Sequence, residues 1–195
     1  LIGTATTHAV NPALQGDRLP FHPIRDFAPI AQVARAPIVL AVRPESDARD
    51  LAGFVALLRA RPGQLNYGSS GTGSMGHLAS VLLLQQIGAE ATHIPYRGSA
   101  PMAADLVSGR LDFASDALAS LVPFVREGRV RALAIATPDR ASALPDLPTF
   151  AEAGLAGYEA YTWNVVFAPA GTPAAVVATL NAALNAAVAE PDLAR

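Results

Sequence analysis

The chain contains no cysteine, which excludes disulfides and thiolate metal sites and leaves the redox compartment unconstrained. It also contains no lysine: all 14 basic residues are arginines, scattered rather than clustered, a pattern that reflects genomic composition. Charged residues make up only 15% of the sequence and the net charge is −2, so there is no electrostatic footprint for nucleic acid or an anionic membrane. The four histidines, His8, His22, His77 and His93, lack metal-ligand spacing, and no metal or cofactor is expected. No apolar run reaches the roughly 20 residues that a membrane helix needs. The chain opens Leu1-Ile2-Gly3-Thr4, with neither Met nor a signal peptide, and this strand-like start suggests a fragment or a processed product.

What is present in quantity is core material. Hydrophobic residues account for 51% of 195 positions, enough for one large domain or two small ones. The most informative stretch is Tyr67 to Leu78, which packs four glycines, three serines and a threonine between a strand-like run and a long apolar helix. Glycine lets the backbone approach a ligand closely, hydroxyls are compact donors, and a helix starting there aims free N–H groups outward. The pattern reads as an anion site.

Around that loop the sequence alternates. Residues 1–6 read as a buried strand running into a polar loop, Thr6-Thr7-His8-Ala9-Val10-Asn11-Pro12. Residues 28–43 fit two short strands or one bent one, and a helix at about 50–60 has Asp50 as a plausible N-cap. Strands are expected at 65–68, 92–96, 111–115, 130–136 and 161–169. Helices are expected at about 74–87, 99–108, 118–127, 149–153 and 172–189. Strands alternating with helices of this length argue for α/β layers with mostly parallel strands.

Two catalytic readings compete for the loop. Gly71-Thr72-Gly73-Ser74-Met75-Gly76 matches G-x-G-x-x-G, yet the acid expected after the next strand is replaced by Pro95-Tyr96-Arg97. An NADP-dependent reductase would need Arg97 to meet a 2′-phosphate, while a third Gly is explained as readily by close helix packing. A G-x-S-x-G nucleophile elbow around Ser74 fails because Thr72 stands where the first glycine belongs. Ser74 reads better as an N-cap or first-turn residue, with Thr72 or Ser70 as alternative caps. His8 and Asn11 follow a strand, where ligand contacts collect, although Asn11 could simply cap a turn. Arg97 beside a helix start suits a carboxylate. Asp116 could accept from a ligand hydroxyl or amine, or cap helix 118–127.

The ordered series of motifs resembles the Bug-type periplasmic substrate-binding proteins of tripartite tricarboxylate transporter systems. The series runs through Gly3 to Pro12, Asp26-Phe27-Ala28-Pro29, Val42-Arg43-Pro44 and Tyr67 to Ser74 with His77-Leu78. It continues through Ile94-Pro95-Tyr96-Arg97-Gly98, Gly109 to Asp112, Leu144 to Thr149 and Glu152-Ala153-Gly154. The resemblance implies a two-lobe α/β architecture of the periplasmic-binding-protein type (type II) and a non-enzymatic receptor that closes on a small organic carboxylate in an interlobe cleft. The continuous lobe would span 43–160, and 1–42 with 161–195 would form a discontinuous first lobe, truncated at both ends relative to the family.

Carried over by motif, the implied ligand contacts are Thr6, Thr7 and His8 in the first lobe. In the second they are Ser69, Ser70, Gly71, Thr72, Gly73, Ser74, Tyr96, Arg97, Gly98 and Asp116. Implied partners are a di- or tricarboxylate, acidic amino acid or aromatic acid, and the membrane components of a tripartite transporter. The expected state is a monomer in the periplasm, without nucleic acid. A carboxylate-sensing module of the same fold is the alternative to transport.

Overall fold

A computed structural model describes residues 1–190. The order is β1 (Ile2–Thr4), a π-helical turn (Thr6–Val10), α1 (Asn11–Gln15), a 3-10 turn (Gly16–Arg18), β2 (Phe27–Val42), α2 (Leu51–Ala60), β3 (Asn66–Ser69), α3 (Met75–Ile87) and β4 (Thr92–Pro95). Then follow α4 (Ser99–Val107), β5 (Phe113–Ala117), α5 (Leu118–Arg126), β6 (Arg131–Ile135), β7 (Tyr161–Pro169) and α6 (Ala174–Val188). Two compact units result: Leu1–Arg35 with the chain from Thr162 onward, and Ala36–Tyr161. The last five positions of the expected 161–195 segment lie outside the described residues.

In the first unit β1 pairs antiparallel with β7, Gly3 opposite Val165. A small core gathers Ile30, Ala31 and Ala168. Beside it His8 stacks on Phe167 with centroids 4.3 Å apart and meets Phe27 edge-on at 4.9 Å. Gly3 makes room for that imidazole, because a Cβ there would collide with the ring. The expected polar loop after β1 is helical instead. Pro12, in the first turn of α1, presets a helical φ and needs no N–H partner there.

The second unit is a mixed sheet in the order β6-β2-β5-β3-β4. Its strands β3, β4 and β5 are parallel, while β2 runs antiparallel to β5 and β6. The expectation of mostly parallel strands therefore holds only for the β5-β3-β4 portion. Residues 38–42 of β2 pair with β5 and β6, which places them in the second unit. The division thus falls after Arg35 rather than after Val42. Phe54, Leu58, Leu83 and Phe113 fill the main core without exposure, each contributing roughly 1.5–3 kcal/mol by burial.

The expected helix at 149–153 is a set of turns. Thr149 and Glu152 do make the reciprocal bonds of a capping box, at 2.8 and 3.1 Å. Gly154 then adopts φ 96°, and the helix that the box announces does not continue.

Candidate functional site

Because β3, β4 and β5 are parallel and adjacent, their C-terminal ends lie along one edge of the second unit. To that edge the chain brings the loop after β3, the loop after β4, and Asp116 near the end of β5. Tyr96 N–H donates to Ser69 O at 3.0 Å, and Gly98 N–H to Ser70 O at 3.1 Å, so the first two loops run side by side.

The glycine loop is built by its own hydroxyls and two of its glycines. Ser69, fully buried, donates through Oγ to Gly71 O at 3.1 Å and accepts the Gly71 N–H at 3.3 Å. Gly71 and Gly73 have φ of 142° and 80°, conformations that side-chain-bearing residues rarely adopt. Ser74 N–H donates to Gly71 O at 3.0 Å, closing the turn. Ser74 Oγ then accepts the His77 N–H at 3.3 Å, which makes Ser74 the N-cap of α3. The amides of Met75 and Gly76, in the first turn, have no intrahelical acceptor within reach. Thr72 is exposed and Ser70 half-buried.

Close approach of α3 to β5 depends on Gly76, where a Cβ would run into the Ser115 carbonyl oxygen. The third glycine of the G-x-G-x-x-G string therefore serves helix packing. The neighbouring Asp116 is only 5% exposed, and its Oδ2 has no hydrogen-bond partner. Burial raises its carboxyl above the ordinary value, while the Ser99 hydroxyl and the Ala117 amide pull it the other way. Asp116 sits inside β5, which is shifted two residues from the expected 111–115 strand. It does not cap α5, whose N-cap is Ala117. Ser99 opens α4 behind Gly98, a cap position without a side-chain bond, and the Ser99 hydroxyl bonds Asp116, which brings the start of α4 to the same edge.

Other expected contacts divide by atom. The Tyr96 backbone belongs to the edge, but its hydroxyl turns away and donates to Asp105 Oδ2 at 2.8 Å. Burial and that carboxylate push the Tyr96 pKa up to about 12. Arg97 is exposed beside the α4 N-terminus. In the first unit, Thr7 Oγ1 donates to Thr4 O at 3.1 Å and lies 2.9 Å from His8 Nδ1, tying β1 to the turn after it. His8 Nε2 is buried without a partner, and burial lowers the His8 pKa. The Thr6 side chain is half-buried.

Two residues outside the expected set support the loop directly. His77 Nδ1 accepts the Gly73 N–H at 3.2 Å, and His93 Nε2 lies 2.7 Å from Ser69 Oγ. The sequence signal for His93 is its register opposite Tyr67 on β3, visible only once the strands are paired. Ser74 and His77 do not form a nucleophile–base pair, since Nδ1 is engaged with a backbone amide and Ser74 Oγ accepts a backbone N–H.

An α/β sheet with loops gathered at the carboxyl ends of its parallel strands, in a chain of two compact units, is an arrangement that periplasmic solute-binding proteins share. The family model for the tripartite tricarboxylate transporter family receptor (TctC) matches residues 1–195. The chain belongs to this family, a family of binding proteins and not of enzymes. It is 45% identical over 177 residues to a UPF0065 protein from the tcbD-tcbE intergenic region of Pseudomonas sp. strain P51, covering 90% of this chain and 53% of that one. A solved periplasmic transporter is 41% identical with TM-score 0.92, over 98% of this chain and 64% of that one. An R. palustris protein solved with adipate is 39% identical with TM-score 0.92, over the same shares. MatC from Rhodopseudomonas palustris, solved with malate, is 35% identical with TM-score 0.86, over 98% and 65%. The chain thus spans about half the length of the curated relative and about two thirds of the solved proteins. No helix among the described residues is long and apolar enough to cross a membrane.

Proposed function

We propose that this chain carries the ligand-holding strand-end edge of a periplasmic receptor that captures a small organic dicarboxylate and delivers it to the membrane components of a tripartite transporter. The observation that carries the reading is the convergence of three features at the C-terminal ends of β3, β4 and β5. These are the hydroxyl- and glycine-built loop 69–74, the N-terminus of α3 and the N-terminus of α4. Fixed amide dipoles and hydroxyls suit carboxylate oxygens, and bridging waters let one scaffold serve several chain lengths at a cost of at most about 2 kcal/mol each. Adipate and malate in two relatives supply the ligand class.

The test is a thermal-shift and calorimetry panel on the full-length protein with adipate, malate, other dicarboxylates and NADP(H). A ligand at 100 times its Kd stabilises the folded state by about 2.7 kcal/mol. A shift with at least one dicarboxylate is expected. A response to NADP(H) alone overturns the reading.

A further inference from the structure

We propose that His77 and His93 are positioning residues for the carboxylate-binding loop, and that His77 holds it in binding form only while its imidazole is neutral. The inference rests on the functional reading above but concerns residues outside the ligand contacts expected there.

The geometry begins with the hydrogen bond from Gly73 N–H to His77 Nδ1, 3.2 Å long. Only an unprotonated Nδ1 can accept it, so the bond defines His77 as the neutral tautomer with its proton on Nε2. Gly73 is buried at φ 80°, and this bond ties it back to the first turn of α3. The same turn carries the Ser74 cap, so His77 engages both the Gly73 amide, through Nδ1, and the Ser74 hydroxyl, through its own N–H.

His93 acts on the other end of the loop. Its Nε2 lies 2.7 Å from Ser69 Oγ, the hydroxyl that bridges both backbone groups of Gly71. If Ser69 gives its single proton to Gly71 O, His93 must donate through Nε2–H, and all three groups are satisfied. The two rings stack with centroids 4.1 Å apart, and Tyr67 lies beside the pair, 4.9 Å from His93 and 6.4 Å from His77. The titratable groups whose rings neighbour His77 are His93 on β4 and Tyr67 on β3, while the Asp116 backbone on β5 lies against the adjacent Gly76.

Protonating His77 puts a hydrogen between Nδ1 and the Gly73 amide and replaces an attraction with a clash of donors. The stack admits one cation far more readily than two, because like charges at that separation repel. Burial lowers the pKa of both imidazoles, and a charge on His77 lowers that of His93 further. The loop is thus held in its neutral form near pH 7 and released on acidification.

The experiment uses the full-length protein with adipate as the probe, its affinity measured by calorimetry between pH 8 and 5.5. If protonated His77 is not binding-competent, wild-type affinity falls by up to about tenfold per pH unit below the His77 pKa. His77→Asn places a non-titrating amide oxygen near the Nδ1 position. It is expected to bind as wild type at pH 8 and to lose most of the acid dependence. His77→Leu has no acceptor and is expected to bind several-fold more weakly at every pH. Protonation of adipate itself is common to all three proteins and cancels in the comparison.

Identical pH profiles for wild type and His77→Asn overturn the inference, as does wild-type affinity in a folded His77→Leu. If no variant binds adipate, the functional reading fails for that ligand, and the loop is judged by NMR of the unliganded protein. There the Gly73 amide shift should titrate with the His77 imidazole, and a Gly73 amide indifferent to that titration overturns the proposal.

Discussion

Gly76 lies directly against the carbonyl of Ser115, with no room between them for a methyl group. This contact sets how near the first turn of α3 comes to the end of β5. It thereby puts the loop amides and the Asp116 carboxyl on one edge of the sheet. The spacing of the proposed anion site depends on an absent side chain as much as on any side chain present.

Gly76→Ala is therefore expected to destabilise, although alanine in an ordinary helix favours folding by about 1 kcal/mol over glycine. The obstacle is backbone rather than a flexible side-chain tip, so α3 must shift, and overpacking of this kind costs about 1–3 kcal/mol. Urea denaturation should show a lower midpoint with an unchanged slope. A raised midpoint would mean that the helix–strand contact is looser than described.

The ends of α3 are legible in the sequence because capping is local: Ser74 before the apolar run and Gly88 after it are both sufficient signals. The edge of parallel strand ends is legible from the alternation of short strands and helices. The frame of β5 is not. Leu111–Ser115 and Phe113–Ala117 are equally apolar, and pairing with β2 and β3 decides between them. Thr149-x-x-Glu152 reads as a helix start, and only the left-handed Gly154 downstream shows that it closes a turn. His77 and His93 lie 16 positions apart, and their stacking depends on the β3–β4 register, which no local pattern encodes.

Ser74 offers a substitution that separates stability from binding. Ser74→Ala removes the cap of α3 and should cost about 1 kcal/mol in chemical denaturation. Ser74→Asp keeps a capping oxygen and adds a charge that the helix N-terminus favours, so it should be at least as stable as wild type. It should nevertheless lose dicarboxylate binding by calorimetry, because its carboxylate occupies the amide field proposed to hold the ligand. Undiminished binding in the Asp variant would place the ligand elsewhere. Gly73→Asp is a poorer probe, since φ of 80° would strain any side chain there.

Asp116 is buried with Oδ2 unpartnered, and its pKa is raised above the ordinary 3.8 by burial, against opposing pulls from Ser99 and Ala117. A raised carboxyl pKa means that the folded state holds the proton more tightly than the unfolded chain does. The stabilising contribution is then fully present below pH 3.8 and is lost as pH rises through the folded-state value. Above that value the buried charge opposes folding. Asp116→Asn, which keeps the shape and cannot ionise, should therefore unfold at a higher urea concentration than wild type at pH 7.5. The gap should narrow steadily as the pH is lowered from the raised pKa toward 3.8. A difference independent of pH would show that the substitution acts through packing and that the Asp116 pKa is not shifted. Since Ser115 and Asp116 are adjacent on the strand that Gly76 contacts, the same variant also removes a negative charge from the edge proposed to receive a carboxylate. Dicarboxylate affinity at pH 7.5 should rise with it.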